Sequence, residues 1–321
     1  MRKFLVTVMS MAFVLSFCMP SFAAGLAGKK VLFVDSYHEG YAWSDGITAG
    51  IKTGLKDSGV ELKVFRMDTK RNTDDGFKKA AALKAKAEIE AFKPDVVIAA
   101  DDNASKYLIQ PYYKDANLPF VFCGVNWDEK VYGFPYKNVT GMVEVTPLPQ
   151  LIEQLQPFAK GNKIGFLGPD IATARKEAQN LKTVFGMTLT EYFAKDFEDW
   201  KKGFAELQGS VDMLVLDSDG GLYKDQTAEM KAFVEANTKI PSGSTYDFMA
   251  AYALISYAKL AEEQGFWSAD AAMKIMGGTS PADIPVAKNT QGKLIVNARI
   301  AKALGADLPF EIIQSADQVI E

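Results

Sequence analysis

The side chains best suited to bind a small molecule lie between Ser36 and Ser44, directly after the apolar run Val31–Val34. The tyrosines and the tryptophan of this segment offer flat faces with polar edges, which suits contact with a planar or apolar group. The alternative is that one or two of these rings only cover the surface. Ser44 is predicted to cap the helix that follows. The candidate ligand contacts in this segment are Ser36, Tyr37, His38 and Trp43.

Two adjacent carboxylates and an amide follow the apolar run Val96–Ala100. One of the three can cap the next helix, but two carboxylates exceed what a single cap needs. A spare carboxylate can accept hydrogen bonds from the ammonium or hydroxyl group of a ligand. Capping alone, and capping combined with ligand contact, both stay open at this point. The candidates here are Asp101, Asp102 and Asn103.

Polar residues also follow a further apolar strand, Pro119–Phe122. Asn126 and Trp127 come after the conformationally permissive Gly124, and we expect both to face the ligand. Cys123 is interpreted as a buried small residue rather than a nucleophile, because no basic residue lies near it in sequence to lower the pKa of its thiol.

The second half of the chain has polar strand ends of its own. A helix is predicted to begin near Thr173, and the free N–H groups of a helix N-terminus suit an anionic group such as a carboxylate. Capping by Thr173 and a turn at Gly220–Gly221 would explain the same residues without a ligand. The candidates in this half are Asp170, Thr173, Asp217 and Tyr246. In the first half, the mixed-charge segment Asp68–Arg71 is interpreted as a solvated turn.

Most of these residues follow apolar runs that are typical of strands. Each half of the chain alternates such strands with helices in the order β-α-β-α-β, which predicts parallel sheets covered by helices on both faces. In open sheets of this kind, ligands bind outside the carboxyl ends of the strands. The predicted fold class is therefore α/β, with two doubly wound parallel-sheet lobes.

The segments outside these two units are expected to join the lobes. Asn138–Pro149 lies between them. A strongly apolar helix is predicted for Tyr246–Gln264 and a shorter one for Ser268–Met276, while Ile284–Val286 and Leu294–Val296 are interpreted as edge strands. We expect this last part to cross back between the lobes, because a closing cleft needs several hinge strands. The predicted boundaries are 24–142 plus about 245–277 for the first lobe and 143–244 plus about 278–321 for the second.

Composition and missing motifs exclude several functional classes. With a formal net charge of −4 over 321 residues, the surface repels phosphate backbones, so no nucleic-acid partner is expected. His38 is the only histidine, which excludes a zinc site built from several histidines. Neither a GxxxxGK(S/T) phosphate loop nor a GxSxG elbow occurs. No cofactor or metal is therefore expected, and an exported enzyme that uses His38 with Asp101 or Asp102 stays as an alternative.

Residues 1–23 are predicted to be a secretory signal peptide. Arg2 and Lys3 precede an apolar run, and small residues near the expected cut place the mature start near Ala24. The alternative is a lipoprotein signal with Cys18 as the acylated residue. We expect a product in a bacterial-type periplasm, without membrane insertion after cleavage, whose single cysteine, Cys123, leaves no intramolecular disulfide.

The order of several short motifs resembles one known group of proteins. The motifs are Ser36–Trp43, Asp68–Arg71, Pro94–Ile98, Asp101–Ala104, Cys123–Trp127 and Gly278–Pro285. In this order they resemble the ABC transporter substrate-binding proteins with the periplasmic binding protein type 1 fold, in particular the tryptophan/tyrosine-transporter-like branch. The similarity covers nearly the whole mature chain.

The resemblance implies two lobes, joined by crossing hinge strands, that close on a small-molecule ligand without catalysing a reaction. It also implies delivery of that ligand to an ABC permease in the inner membrane. Better-known members of the branch bind aromatic or related amino acids, but the aromatic motifs of this chain are longer, so the identity of their ligands does not carry over. Aromatic walls with spare carboxylates and helix N-termini favour a small, amino-acid-like organic solute, and a sugar would also suit tryptophan and aspartate. We expect a monomeric receptor. The alternative is a sensing role, in which the protein docks on the sensor kinase of a two-component system.

Overall fold

The computed structural model describes residues 25–221 and 224–321. The expected signal peptide and the alternative acylation site Cys18 lie outside these residues. Within them, the chain forms two mostly parallel sheets flanked by helices, so the predicted α/β class with two doubly wound lobes is confirmed. None of the helices in this part combines the length and apolar character that a membrane crossing requires.

Strands and helices alternate along most of the chain. The strands are β1 (Lys30–Asp35), β2 (Glu61–Arg66), β3 (Val96–Ala100), β4 (Phe120–Asn126), β5 (Val139–Glu144), β6 (Ile164–Pro169), β7 (Leu189–Ala194), β8 (Met213–Leu216), β9 (Ser242–Ser244), β10 (Ile255–Lys259), β11 (Ala287–Lys288), β12 (Gly292–Asn297) and β13 (Gln318–Ile320). The α-helices are α1 (Ala42–Gly54), α2 (Asp75–Phe92), α3 (Asp101–Ala104), α4 (Gln110–Tyr112), α5 (Leu148–Leu155), α6 (Ala172–Phe185), α7 (Phe197–Leu207), α8 (Thr227–Asn237), α9 (Ala261–Met276), α10 (Ala298–Leu304) and α11 (Phe310–Ser315). A π-helical turn, Ser105–Ile109, joins α3 to α4.

The strand order places the ends of several strands side by side. Among the described residues, the first sheet has six strands in the order β11-β5-β4-β3-β1-β2, and its strand pairs are parallel. The second has seven, in the order β13-β12-β10-β9-β8-β6-β7, and only the β10–β12 pair is antiparallel. The carboxyl ends of β1, β3, β4 and β5 therefore form one edge of the first sheet, where α/β proteins bind ligands.

Each sheet packs in its own hydrophobic core. The core of the second lobe is built around Trp200 and Phe204, and the first sheet has a separate apolar cluster on each face. Two half-buried aromatic residues, Trp127 and Phe185, pack against both the second-lobe core and one first-lobe core. The two lobes are therefore in contact at these rings.

The described chain passes between the sheets at three places. These crossings lie between β5 and α5, between β10 and α9, and between β11 and β12. Helix α5 packs on β9 and β10 of the second sheet, whereas α9 packs on α1 and β4 of the first. Each crossing is thus a short segment between an element of one lobe and an element of the other.

The predicted helix Tyr246–Gln264 is wrong. Within this segment, Asp247–Met249 is a 3-10 turn, Ile255–Lys259 is strand β10, and α9 begins only at Ala261. The apolar run that favoured a helix is instead a strand that lies between β9 and β12 and is mostly buried. The predicted shorter helix is the second half of α9. The chain therefore returns to the first lobe at about Leu260, later than the expected boundary near residue 245.

The last part of the chain also differs from the prediction. Leu294–Val296 belongs to β12, which lies between β10 and β13 and is therefore not an edge strand. Pro285 lies just before β11, which is an edge strand of the first sheet. The residues up to Lys288 therefore lie with the first lobe, and the second lobe resumes at β12 instead of near residue 278.

Helices α1 and α9 approach each other unusually closely. A Cβ atom on Gly50 would lie 2.1 Å from the carbonyl oxygen of Glu262, and one on Gly265 would lie 2.1 Å from that of Ile47. Only glycine allows this contact. Because α1 carries Trp43 in its first turn and α9 begins two residues after Lys259, the contact sets the positions of the two backbone segments that carry these side chains.

Candidate functional site

A cavity of about 260 Å³ lies at the carboxyl ends of the first-sheet strands, beside two of the crossings. Its lining combines flat rings with charges of both signs: Tyr37, Tyr41, Trp43, Lys70, Asp101, Asn126, Glu144 and Lys259. The position is the one that the sheet topology predicts for a ligand site. These side chains come from the loop after β1 and the first turn of α1, from the loop after β2, from the first residue after β3, and from the ends of β4, β5 and β10.

The aromatic side of this cavity is held together by ring contacts. Tyr37 and Tyr41 pack edge to face, with ring centroids 5.4 Å apart. Burial and the charge of Asp101 raise the pKa of the Tyr37 hydroxyl, so this group stays neutral. The ammonium group of Lys259 lies 5.4 Å from the ring centroid of Trp43. A flat solute would therefore meet rings whose orientation is already set.

Ser44 does not cap α1 as predicted. Tyr41 occupies the N-cap position, and the Ser44 hydroxyl donates a hydrogen bond of 2.9 Å to Asp35. Asp35 is also paired with Arg66 and is fully buried at the end of β1. This network anchors the first turn of α1, and with it the ring of Trp43, to the sheet.

Asp101 is the most constrained carboxyl group of the site. It is only 1% exposed and adopts a positive φ of 69° directly after β3. Its Oδ1 accepts a hydrogen bond of 3.1 Å from Nε1 of Trp43, whereas its buried Oδ2 has no hydrogen-bond partner among the described residues. Burial and the charges of Glu144 and Asp35 raise its pKa well above the usual value. Asp101 therefore holds an unused polar atom beside the cavity.

Both carboxylate oxygens of Asp102 already accept hydrogen bonds. Its two oxygens accept hydrogen bonds of 2.8 Å each from Nδ2 of Asn126 and from the hydroxyl of Tyr132. Asn103 points elsewhere and donates to the hydroxyl of Thr69 at 2.9 Å. Asp102 therefore positions Asn126 at the cavity, and Asn103 fixes the loop after β2.

Glu144 and Lys259 form an ion pair where two crossings begin. Glu144 ends β5 and is 7% exposed, and Lys259 ends β10. Burial raises the pKa of Glu144, and the nearby ammonium of Lys259 opposes that shift. A charge pair joining the ends of two crossing segments connects the site to the hinge.

The second lobe contributes two more carboxyl groups. Asp217 follows β8, is 6% exposed and accepts a hydrogen bond from the hydroxyl of Tyr246. Burial, together with the charge of Glu177, raises the pKa of Asp217 to about 7. Glu177 lies on α6, where burial also raises its pKa. Because burial disfavours the charged forms, Asp217 titrates near neutral pH, and the pKa of Glu177 lies above its usual range.

Trp127 and Thr146 connect these second-lobe groups to the first lobe. Both side chains donate hydrogen bonds to Glu177. The Trp127 ring lies 6.1 Å from that of Phe185, and its backbone N–H donates to the carbonyl oxygen of Glu144 at 2.9 Å. Glu177 therefore lies at the junction of the lobes, next to the crossing after β5.

The structure brings together several predicted ligand contacts, namely Tyr37, Trp43, Asp101 and Asn126 at the cavity and Asp217 with Tyr246 in the second lobe. The remaining predicted residues lie apart. Ser36 is buried, and its hydroxyl bonds the carbonyl of Ala100 at 2.5 Å. His38 is not among the residues that line the cavity, and its ring contacts that of Tyr41 with centroids 5.9 Å apart.

Two predicted residues of the second lobe are exposed. Asp170 forms an ion pair of 2.7 Å with Arg175, whose guanidinium covers the ring of Phe193 in the edge strand β7. Thr173 lies one turn before Glu177 on α6 and therefore shares its face of the helix. Thr173 therefore stays a predicted ligand contact, whereas Asp170 is engaged towards the sheet edge.

Four residues of the site escaped the sequence-based prediction: Lys70, Glu144, Glu177 and Lys259. The ring of Tyr41 is one of the flat faces that the sequence offers, but Tyr41 is not among the predicted ligand contacts. Glu144 carried a usable signal, since it is the one charged residue between Val139 and Pro149. Lys259 was hidden by the incorrect helix, and Glu177 is one of many charged residues on α6. Lys70 had been assigned to a solvated turn.

A larger cavity, about 440 Å³, lies on the outer side of α1 and α9. Its most buried acid, Glu263, already accepts hydrogen bonds from the backbone N–H groups of Thr290 and Gln291, at 2.9 and 3.0 Å. The carboxylate of Glu263 therefore holds the crossing between β11 and β12 in place. No group of His, Cys, Asp and Glu suited to a metal ion occurs in the part of the chain that is described.

Comparison with known families gives one extended match. The family model described as ABC transporter substrate binding protein matches residues 39–320. No curated protein matches the chain at a significant level.

Solved structures share the fold at low sequence identity. A substrate-binding protein with adhesive properties from Clostridium difficile, in its ligand-free open form, is 21% identical, with a TM-score of 0.69 over 91% of this chain and 99% of that one. A periplasmic ribose ABC transporter structure from Conexibacter woesei is 13% identical, with a TM-score of 0.54 over 88% and 96%. An ABC transporter solute-binding protein from Bradyrhizobium with bound Bis-Tris is 13% identical, with a TM-score of 0.53 over 89% and 86%. The shared fold is the periplasmic binding protein type 1 architecture.

Proposed function

The chain belongs to the ABC transporter substrate-binding protein family, and on that premise we propose that it captures an amino-acid-like organic solute between its two lobes. Members of this family bind small molecules for an ABC transporter, typically outside the cytoplasm, and are not enzymes. The solute is delivered to a permease in the inner membrane. The receptor acts as a monomer in the periplasm after its signal peptide is removed.

The observation that carries this proposal is the excess of carboxyl groups over amines around the cleft. Among the described residues the cleft brings together Asp101, Asp102, Glu144, Glu177 and Asp217, but only Lys70 and Lys259. A ligand ammonium group forms strong charge-assisted hydrogen bonds with carboxylates and is attracted to the faces of aromatic rings. The site therefore favours a solute with an amino group and a flat or apolar part.

Closure of the lobes explains how such a solute is retained. The rings and Asp101 lie in the first lobe, whereas Asp217 and Glu177 lie in the second. A solute between them contacts both sets of groups only when the lobes are close together, so binding shifts the population towards the closed form. The short crossings, with the Glu144–Lys259 pair at two of them, are the segments that bend.

A thermal-shift screen of the purified protein tests the proposal. We expect amino acids to raise the melting temperature, because a ligand that binds only the folded form stabilises it. The Trp43→Ala variant should lose most of the shift, whereas Asp219→Asn, a change outside the cavity, should keep it. Stabilisation by sugars or nucleosides alone, with no response to amino acids, would refute the proposed ligand class.

A further inference from the structure

Lys70 occupies a defined position at the wall of the cavity. Its ammonium nitrogen lies 5.0 Å from the ring centroid of Tyr37 and 4.9 Å from that of Tyr41. Both rings line the cavity with it. The two faces attract the ammonium group and hold the long side chain beside the space that a solute would fill.

The other cations around this edge of the sheet are already paired with carboxylates. Lys259 pairs with Glu144, and Arg66 pairs with Asp35. The next residue in the loop, Arg71, forms an ion pair of 2.7 Å with Asp68. Within residues 25–221 and 224–321, Lys70 forms no ion pair, and its charge acts on Glu144 only beyond ion-pair distance, so the ammonium group can still bind a ligand.

The backbone that carries Lys70 is fixed by neighbouring loops. The Thr69 hydroxyl donates to the carbonyl of Ser36 at 2.6 Å and accepts from Asn103 at 2.9 Å. The N–H of Asp68 donates to the carbonyl of Tyr37 at 2.8 Å. The segment interpreted as a solvated turn is therefore tied to the loop after β1 and to α3, and it presents Lys70 at a constant place.

We propose that Lys70 binds the carboxylate of the solute and so makes the site select an amino acid over the amine that lacks this group. This inference rests on the proposed function. The carboxyl groups of the cleft explain the recognition of an ammonium group but would accept a plain amine equally well. The ammonium group of Lys70, held on the tyrosine rings of the same cavity and outside any ion pair, supplies the second charge needed to recognise a zwitterion.

Isothermal titration calorimetry with matched ligand pairs tests the proposal. The probes are L-tryptophan with tryptamine, L-tyrosine with tyramine, and L-phenylalanine with phenethylamine. We expect the wild-type protein to bind at least one of these amino acids about tenfold or more tightly than its amine. Lys70→Met should weaken amino-acid binding by about 10- to 100-fold and change amine binding less than about threefold. Lys70→Arg should restore most of the preference, and Lys84→Met, at an exposed position on α2, should change neither affinity.

Three results would overturn the inference, and they differ in what they say about the proposed function. If Lys70→Met weakens the amino acid and the amine equally, Lys70 only orders the tyrosines. If the wild-type protein binds the amines as tightly as the amino acids, no carboxylate is selected. Both results leave the receptor function in place. If neither class binds the wild-type protein, the proposed ligand class is refuted and the inference fails with it.

Discussion

The two lobes offer very different walls to the cleft. In the first lobe, each carboxyl group is linked to a hydrogen-bond donor or a cation: Trp43 donates to Asp101, Asn126 and Tyr132 donate to Asp102, and Lys259 pairs with Glu144. In the second lobe, Asp217 and Glu177 also accept hydrogen bonds, from Tyr246, Trp127 and Thr146, but within the described chain neither forms an ion pair, and burial raises the pKa of both.

This difference divides the work of binding between the lobes. The rings and carboxyl groups of the first lobe are oriented before a ligand arrives, which reduces the cost of recognising it. Asp217 and Glu177 are unfavourable when charged, as Asp101 is in the first lobe, and a ligand ammonium group that reaches them on closure would relieve that penalty. The first lobe would therefore supply recognition, and the second would supply free energy that is released only on closure.

The largest expected effect tests the second lobe. We expect Asp217→Asn to raise the free energy of unfolding of the ligand-free protein by about 2 to 4 kcal/mol at pH 8, because a pKa shift from 3.8 to about 7 implies a penalty of that order for the buried charge. The same change should weaken amino-acid binding. Denaturant unfolding and calorimetry measure the two effects.

The sign of this effect depends on pH. The pKa of Asp217 is raised in the folded protein, so the folded form binds more protons than the unfolded form between about pH 4 and pH 7. The stability of the wild-type protein should therefore fall as the pH rises through this window, and the gain from Asp217→Asn should vanish near pH 4. Asp219→Asn, in the same loop, should show neither effect. An Asp217→Asn protein with unchanged stability at pH 8 would remove the contrast between the lobes.

The next effect tests the first lobe. Trp43→Ala should weaken ligand binding by about 1 to 3 kcal/mol, since it removes a flat face and the donor to Asp101. Trp43→Phe keeps a ring but removes the donor, and its loss should be intermediate. Calorimetry of both variants separates the contribution of the face from that of the hydrogen bond. Equal affinities in wild type and Trp43→Ala would show that the aromatic wall does not contact the ligand.

Most of the fold could be predicted from the sequence. The alternation of apolar strands and helices was sufficient to predict two parallel sheets, because continuous apolar runs such as β3 are typical of strands buried on both faces. The apolar run that forms β10 could not be assigned from its pattern, since a short run of apolar residues is compatible with a buried helix as well as with a central strand. That ambiguity produced the incorrect helix and shifted the lobe boundary.

The candidate site was predictable where polar residues directly follow a strand. Asp101 and Asp217 have this signature, and Asn126 is the last residue of its strand. Glu177 and Lys259 do not, because a charged residue on a helix, or in a segment taken for one, is usually solvated. Their place in the cleft depends on tertiary packing: α6 meets the crossing after β5, and the close contact of α1 with α9 brings Lys259 to Trp43.

A smaller effect concerns the pH dependence of binding. If the ligand ammonium group contacts the carboxylate of Asp217, binding requires that this group be deprotonated. Affinity should then fall as the pH decreases below about 7, by about tenfold per pH unit for one proton. In Asp217→Asn, the slope of log affinity against pH should fall by one, because one proton fewer is released on binding. Glu177 and Glu144 would account for any slope that remains. Titrations between pH 5.5 and 7.5 measure this, and a slope that survives unchanged in the variant would assign it to another group.

The smallest expected effect tests how far along the second lobe the ligand makes contact. Asp170 is exposed and paired with Arg175 towards the edge strand β7, so Asp170→Asn should change ligand affinity less than about twofold and stability by about 0.5 kcal/mol or less. Glu177→Gln, on the helix that follows, should weaken binding by about tenfold, because it removes a buried charge at the junction of the lobes. Calorimetry of the two variants under identical conditions makes the comparison. A large loss of ligand affinity in Asp170→Asn would show that the ligand contacts the second lobe as far as the edge strand β7. The centre of that contact would then be α6 rather than the end of β8.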